Sequence, residues 1–85
     1  YPTILSGDLN DIPKSKTINI LESFWKASYN KEKPLFTFPS DKPIKKIDYV
    51  LFYPRKKWKV IARETICDTI ASDHCAYLVT LELLK

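Results

Sequence analysis

Large apolar residues at every second position near the C-terminus are the feature that most constrains what this chain can fold into. In the segment 76–84 every second residue is large and apolar, namely Tyr77, Val79, Leu81 and Leu83. Successive side chains of a β-strand point to opposite faces, so the alternation predicts a strand with one buried face. Strands with one buried face are typical of antiparallel sheets, so we expect the sheet of this chain to be mostly antiparallel.

Three other segments carry strand signals. Residues 3–6 form a short apolar run that stops at Gly7, which predicts a buried strand ending in a tight turn. The segments 47–53 and 58–66 are rich in β-branched and aromatic residues, and the charged turn between them predicts an antiparallel hairpin. Alternation within the second of these strands places Arg63 on its polar face.

One helix is expected between the first strand and the others. Apolar side chains recur at helical spacing over about residues 15–27, at Ile18, Leu21, Phe24 and Trp25. Ser15 or Thr17 is available as the N-cap.

The segment 30–46 is polar and contains three prolines, so it is expected to be mostly loop, with one short extended piece at 35–38. One helix among several strands predicts an α+β fold, in which a mostly antiparallel sheet is covered by the helix.

Composition narrows the class of protein. The 85 residues allow at most one small domain, and 45% of them are hydrophobic with only one glycine, so the chain has core-forming sequence. Lys and Arg exceed Asp and Glu by 14 to 10, which favours an anionic partner such as a phosphate-bearing molecule. No apolar run approaches the roughly 20 residues that a membrane-spanning helix needs.

Two further features concern the context of the chain. Cys67 and Cys75 form no CxxC pair and have no second ligand pair nearby, which argues against a zinc site and leaves free thiols or one bridge. The chain opens on Tyr1 without a methionine or the pattern of a signal peptide, and we interpret it as part of a longer chain.

Polar side chains stand where predicted strands meet loops, and active sites are usually built at such positions. They are Asp8 and Asn10 after the first strand, Asp48 at the start of the next, and Asp73 and His74 before the last. Taken alone, the first and last of these groups are better explained as turns than as site residues, because Asp and Asn side chains often bond their own backbone.

Asp48 is harder to explain in that way. It lies between Ile47 and an apolar strand, where a carboxylate is partly buried and needs a partner, for which His74 and Lys46 are the candidates. A carboxylate bonded to one imidazole nitrogen fixes the tautomer and raises the basicity of the other nitrogen, as hydrolytic sites require.

Three short motifs together resemble a known family. They are Gly-Asp-Leu-Asn at 7–10, Lys-Lys-Ile-Asp-Tyr-Val-Leu at 45–51 and Ala-Ser-Asp-His-Cys at 71–75. Each adjoins a predicted strand, and in this order they resemble the three C-terminal motifs of the endonuclease/exonuclease/phosphatase family. The resemblance implies that residues 1–85 are the C-terminal part of a single domain, a fragment of the four-layer α/β/β/α sandwich of DNase I-like proteins.

The resemblance also implies a Mg²⁺-dependent hydrolase of phosphate esters, with Mn²⁺ as a substitute metal. Asp8 and Asn10 would hold or orient the attacking water and the phosphate, and Asp73 would be a metal ligand. Asp48 would pair with His74, and either Asp8 or His74 would be the general base.

Lys45 and Lys46, which precede the second motif, are candidates for contact with the substrate phosphate. Substrates of the family include nucleic acids, phospholipid head groups and small phosphodiesters. In the family, the N-terminal half of the domain supplies a metal-binding Glu. The resemblance therefore implies that this chain needs that half as a partner and is inactive alone.

Two other hypotheses remain open. One is a non-catalytic module that binds nucleic acid through the basic residues Arg55, Lys56 and Lys57 beside Tyr53 and Trp58. The other is a piece of chain that is ordered by self-association through an exposed sheet edge.

Overall fold

The computed structural model describes all 85 residues, which form two small antiparallel sheets and one helix. The strands are β1 (Thr3–Asp8), β2 (Lys26–Ala27), β3 (Asp48–Tyr53), β4 (Trp58–Ile66) and β5 (Ala76–Leu83), with helix α1 at Lys16–Glu22 and a 3₁₀ turn at Arg55–Lys57. The α+β architecture with mostly antiparallel strands and one helix is confirmed. No helix has the length and apolar character that crossing a membrane requires.

β3 is the central strand of the first sheet, with β1 on one side and β2 on the other. The register places Asp8 opposite Asp48 at one end of the β1–β3 pair and Thr3 opposite Tyr53 at the other. Directly opposite residues of an antiparallel pair share a face of the sheet, so the Asp8 and Asp48 side chains emerge side by side.

Helix α1 begins and ends at polar side chains. Ser15 is the N-cap, as the sequence allowed, and its Oγ accepts a hydrogen bond of 3.2 Å from the Ile18 amide. The helix ends at Glu22, before the predicted Ala27, and Ser23 Oγ donates to the Ile20 carbonyl at 2.6 Å in the last turn.

The chain is extended soon after the helix, because β2 pairs with the middle of β3. Ala27 lies opposite Leu51 in that pairing, and both side chains are buried. Pairing with β3 therefore overrides the helical spacing of Phe24 and Trp25, an example of tertiary contacts deciding over local pattern.

The core lies between α1 and the first sheet. It consists of five buried residues, Ile18, Ala27, Tyr29, Tyr49 and Leu51. The Tyr29 and Tyr49 rings meet edge to face with centroids 5.8 Å apart, a favourable geometry for aromatic pairs. Burying each large apolar side chain contributes about 1.5–3 kcal/mol, so this cluster is what holds the helix to the sheet.

The hairpin predicted between 47–53 and 58–66 is wrong, since β4 pairs with β5 in a separate two-stranded sheet. Both sides of β3 are already occupied, by β1 and by β2, so no edge is left for β4. The 3₁₀ turn after Pro54 carries the chain away from the first sheet into the second.

A β-bulge in β4 changes the face on which its later side chains lie. Val60 pairs with Leu81 but Ala62 pairs with Thr80, so Ile61 is an extra residue in β4. After the bulge Arg63 lies opposite Val79, on the half-buried face of β5, and its Nε donates to the Ser28 carbonyl. The predicted polar face for Arg63 is therefore wrong, because the alternation shifts by one residue at the bulge.

Candidate active site

Asp8 reaches the site because β1 does not stop at Gly7. Gly7 has a φ of +152°, which L side chains rarely adopt, and with this conformation the strand continues to Asp8. The tight turn predicted at Gly7 is wrong. The continuation sets Asp8 opposite Asp48, the first residue of β3.

The chain turns immediately after Asp8. The Leu9 amide donates to the Ile47 carbonyl at 2.9 Å, and the Asn10 amide donates to Asp8 Oδ1 at 2.8 Å. Asn10 has a φ of 52°, a left-handed conformation that Asn tolerates better than most residues. Gly7 and Asp8 thus end β1, and only the second half of the motif is a turn, which holds one oxygen of Asp8.

His74 lies between the two carboxylates. Its Nδ1 is 2.8 Å from Asp48 Oδ2, a hydrogen bond, and its Nε2 is 3.7 Å from Asp8 Oδ2, beyond hydrogen-bond distance. The predicted pairing of Asp48 with His74 is therefore present in the structure. The hydrogen bond to Asp48 raises the pKa of His74, with partial burial opposing it and the charges of Asp48, Asp8 and Asp73 adding to it.

The loop that carries His74 is fixed at both ends by a disulfide bridge between Cys67 and Cys75. This resolves the two alternatives for these cysteines in favour of one bridge. Cys75 is buried, and its amide donates to the Thr37 carbonyl at 2.6 Å. Within the loop, the His74 amide donates to Ser72 Oγ at 3.0 Å.

Thr37 connects this loop to β3 and is a residue that the sequence did not single out. Its side chain is fully buried, and its Oγ1 accepts hydrogen bonds of 3.3 Å from both the Ile47 and Asp48 amides. Its carbonyl holds Cys75 from the other side. The available signal was a polar residue between two phenylalanines in an otherwise apolar segment.

A cleft of about 380 Å³ opens beside His74. Asn10, Lys45 and Phe38 are among the residues that line it. The Phe38 ring packs against the imidazole with centroids 4.9 Å apart, which restricts the rotation of His74. Lys45 is exposed, so its ammonium is available to an anion in the cleft.

Lys46, the other predicted phosphate contact, is buried and does not line this cleft. Its Nζ donates to the Asp48 carbonyl at 2.9 Å and lies 3.5 Å from the centroid of the Tyr77 ring. The rings of Tyr49 and Tyr29 are 5.0 and 5.3 Å from the same nitrogen. We call this arrangement the lysine cage.

The lysine cage fixes the backbone of Asp48 through the hydrogen bond from Lys46 Nζ to the Asp48 carbonyl. Burial lowers the pKa of Lys46 to about 8, with the charge of Asp48 opposing. Burial also raises the pKa of each of the three surrounding tyrosines, so their phenols are neutral around Lys46. The predicted contact of Lys46 with substrate phosphate is thus replaced by a hydrogen bond to the backbone of Asp48.

Asp73, predicted as a metal ligand, is exposed, and its carbonyl accepts from the Ser40 amide at 2.8 Å. Its carboxylate is not part of the cluster formed by Asp8, Asp48 and His74, whose ligand atoms all lie within 4.8 Å of one another. Two carboxylates suit Mg²⁺, which prefers oxygen ligands, and Mn²⁺ accepts the same donors. The donor set therefore fits part of a divalent metal site.

Comparison with protein families, with curated proteins and with solved structures gave no match to this chain. The functional interpretation rests on the three motifs and on the geometry of the cluster.

Proposed function

We propose that this chain contributes the C-terminal half of the active site of a metal-dependent phosphoesterase of the endonuclease/exonuclease/phosphatase family. The proposal includes the DNase I-like sandwich, of which residues 1–85 would form one part, and a phosphate-ester substrate. The other half of the domain would supply the remaining metal ligand.

The observation that carries the proposal is the position of His74 between Asp48 and Asp8. These residues come from three motifs that are well separated along the chain, and His74 and Asp48 alone are 26 residues apart. Coincidental turns would have no reason to converge, whereas a hydrolytic site requires an imidazole whose orientation and tautomer are fixed by a carboxylate.

The proposed roles follow from the hydrogen bonds. Asp48 accepts the Nδ1 proton of His74, which leaves Nε2 on the side of Asp8, and the His74 side chain lines the cleft. From there His74 is able to accept a proton from the attacking water or to donate one to the phosphate. Asp8, held by the Asn10 amide, orients the water, and Asn10 and Lys45 bind phosphate oxygens.

A divalent cation, Mg²⁺ or Mn²⁺, would be held by the carboxylates of the cluster together with the ligand from the other half of the domain. When bound, it polarises the phosphoryl group and offsets the charge that develops on it. Asp73, next to His74 in the chain, is a second candidate ligand.

Hydrolysis of bis-p-nitrophenyl phosphate tests the proposal in a protein that contains both this chain and the rest of the domain. We expect Mg²⁺-dependent release of p-nitrophenol, and a loss of about 10²–10⁴-fold in kcat for Asp8→Ala and for His74→Ala. Asp41→Ala removes an exposed carboxylate elsewhere and serves as the matched control, with activity close to the parent protein.

Activity that survives both substitutions, or that does not change when EDTA is added, would refute the assignment. The isolated 85-residue chain offers a separate check on the metal. Mn²⁺ added to it should broaden the NMR signals of His74 and Asp8 before those of Asp41, and uniform broadening across the chain would contradict a site at the cluster.

A further inference from the structure

A group of aromatic side chains is exposed at the end of β3 opposite to His74. The side chain of Phe24 is 73% exposed and that of Tyr53 is 50% exposed, which is unusual for large aromatic residues in a small protein. Together with Trp25 they line a shallow recess of about 320 Å³. The Trp25 and Tyr53 rings are 6.2 Å apart and inclined by 64°, so the recess has aromatic walls.

Positive charge adjoins the same recess. The 3₁₀ turn that follows Tyr53 consists of Arg55, Lys56 and Lys57, all exposed. None of these three residues forms an ion pair. The basic residues that do form ion pairs in the structure are Lys31 and His74. The turn is held in place by the Leu84 amide, which donates to the Lys57 carbonyl at 2.7 Å.

We propose that these six residues form a binding surface for single-stranded nucleic acid, separate from the Asp8/Asp48/His74 cluster. We call it the aromatic–basic surface, and it comprises Phe24, Trp25, Tyr53, Arg55, Lys56 and Lys57. Five residue steps of β3 separate Tyr53 from Asp48, about 17 Å at the rise of an antiparallel strand. Binding here does not depend on the proposed phosphoesterase activity.

The chemistry of the surface matches the two components of single-stranded nucleic acid, its bases and its phosphates. Unpaired bases stack on aromatic side chains whatever their sequence, and each such contact contributes substantially to affinity. Phosphates are neutralised by Lys and Arg, which releases counterions and makes the affinity depend on salt. A recess with aromatic walls accepts a flat base from solvent, whereas a bilayer is engaged by side chains that project from the surface.

Tyr53 adjoins the basic turn in the sequence, but only the structure brings Phe24 and Trp25 to it. By sequence, Phe24 and Trp25 belong to the predicted helix, far from Arg55. Because α1 ends at Glu22 and β2 pairs with β3, the two rings are carried to the Tyr53 end of the sheet. The hypothesis of a basic nucleic-acid module, which already included Tyr53, thereby gains two further stacking groups.

Fluorescence anisotropy with a labelled 12-mer of oligodeoxythymidylate tests the proposal on the full 85-residue chain in EDTA. We expect Phe24→Ala to weaken binding about tenfold and to leave the salt dependence unchanged, since it removes a stacking contact. The double variant Lys56→Glu/Lys57→Glu should weaken binding and reduce the slope of log affinity against log salt by about 1.4. The double variant Lys16→Glu/Lys33→Glu has the same net charge and should stay within about threefold of the parent.

Binding in EDTA, which removes the divalent metal that the proposed phosphoesterase needs, separates this proposal from the phosphoesterase proposal. Equal losses in the two lysine double variants would show binding by net charge alone and overturn the proposal. An unchanged affinity of Phe24→Ala would do the same, as would binding to phosphatidylserine vesicles with none to the oligonucleotide. Thermal melts of Phe24→Ala, whose substituted side chain is exposed, check that the variant is folded.

Discussion

At the scale of single residues, the hydrogen bond between Asp48 and His74 is the contact with the clearest consequence. It raises the pKa of His74, so the folded chain holds the imidazole proton more tightly than the unfolded chain does. The stability that this contributes is fully present below the ordinary histidine pKa of about 6.5 and is lost as the pH rises through the raised value.

Asp48→Asn should therefore lower the pKa of His74 in the metal-free chain, because the amide carries no charge to stabilise the imidazolium. His74 is the only histidine, so its ring signals in an NMR pH titration report the change without ambiguity. Asp8→Asn is the comparison, and since Asp8 makes no hydrogen bond to the ring, its effect should be smaller. A larger effect for Asp8→Asn would contradict the geometry described.

Lys46 gives a second prediction, in the opposite pH direction. Its pKa is about 8 in the folded chain, below the ordinary lysine value of about 10.4, so the unfolded chain binds the proton more tightly. The free energy of unfolding should accordingly rise with pH from about 8, by up to about 1.4 kcal/mol per pH unit.

Lys46→Met should remove that rise, measured by urea unfolding between pH 7.5 and 9.5. At pH 7 we expect stability within about 1 kcal/mol of the parent, because the lost hydrogen bond to Asp48 is offset by the removal of a buried charge. Lys45→Met, at an exposed neighbouring position, should leave the pH dependence as it is. The same rise in both variants would show that Lys46 is not the titrating group.

At the scale of elements, the long connection between β2 and β3 is what aligns the site. Thr37, inside it, holds the first residues of β3 through its hydroxyl and the end of the His74 loop through its carbonyl. No element of regular structure performs this function.

Thr37→Val keeps the size of the side chain and removes the acceptor for two backbone amides. We expect a loss of about 1–3 kcal/mol in the free energy of unfolding, because buried amides without partners are costly. Thr37→Ser keeps the hydroxyl and should lose less, although it removes a methyl group. Urea unfolding of both variants checks this, and equal losses would mean that packing and not hydrogen bonding is decisive.

The elements also show what local sequence was able to predict. Apolar alternation was sufficient to predict β5, and helical spacing with a cap at Ser15 or Thr17 predicted about where α1 begins. The pairing of β3 was not predictable, because local sequence does not indicate which two strands, here β1 and β2, occupy its two sides. The bulge at Ile61 and the continuation of β1 through Gly7 also depend on backbone geometry that periodicity does not encode.

The candidate site, like the fold, was only partly predictable from local sequence. A carboxylate at the start of an apolar strand needs a partner, which left His74 and Lys46 as candidates for Asp48, and the resemblance of the motifs pointed to His74. The sequence named both Lys45 and Lys46 as phosphate contacts, although only Lys46 was also a candidate partner of Asp48. Burial among three tyrosines distinguishes them, and these come from distant segments.

At the scale of the whole molecule, the chain buries little of itself. Only 12 of the 85 residues are buried, while large apolar side chains such as Ile4, Ile66 and Leu78 are about half exposed. β1 is an edge strand, so the backbone groups on its outer side are unpaired within the sheet. Exposed strand edges with apolar side chains are sites where further strands add.

We therefore expect the isolated chain to self-associate through the edge of β1. Ile4→Lys should favour the monomer, because a charge on an edge strand opposes pairing. Thr17→Lys, on the exposed surface of α1, adds the same charge elsewhere and is the control. Sedimentation velocity distinguishes the species, and a monomeric parent chain or equal effects of both substitutions would contradict the prediction.

The bridge between Cys67 and Cys75 links the arrangement of the whole molecule to its chemical surroundings. It closes a short loop, with the cysteines eight positions apart, for which the chain-entropy relation gives about 2.5 kcal/mol. His74 lies inside that loop. Where glutathione keeps thiols reduced, His74 loses this restraint, and where the redox poise is oxidising, it stays against Asp48. The compartment in which the chain resides thus becomes a determinant of the geometry of its candidate active site.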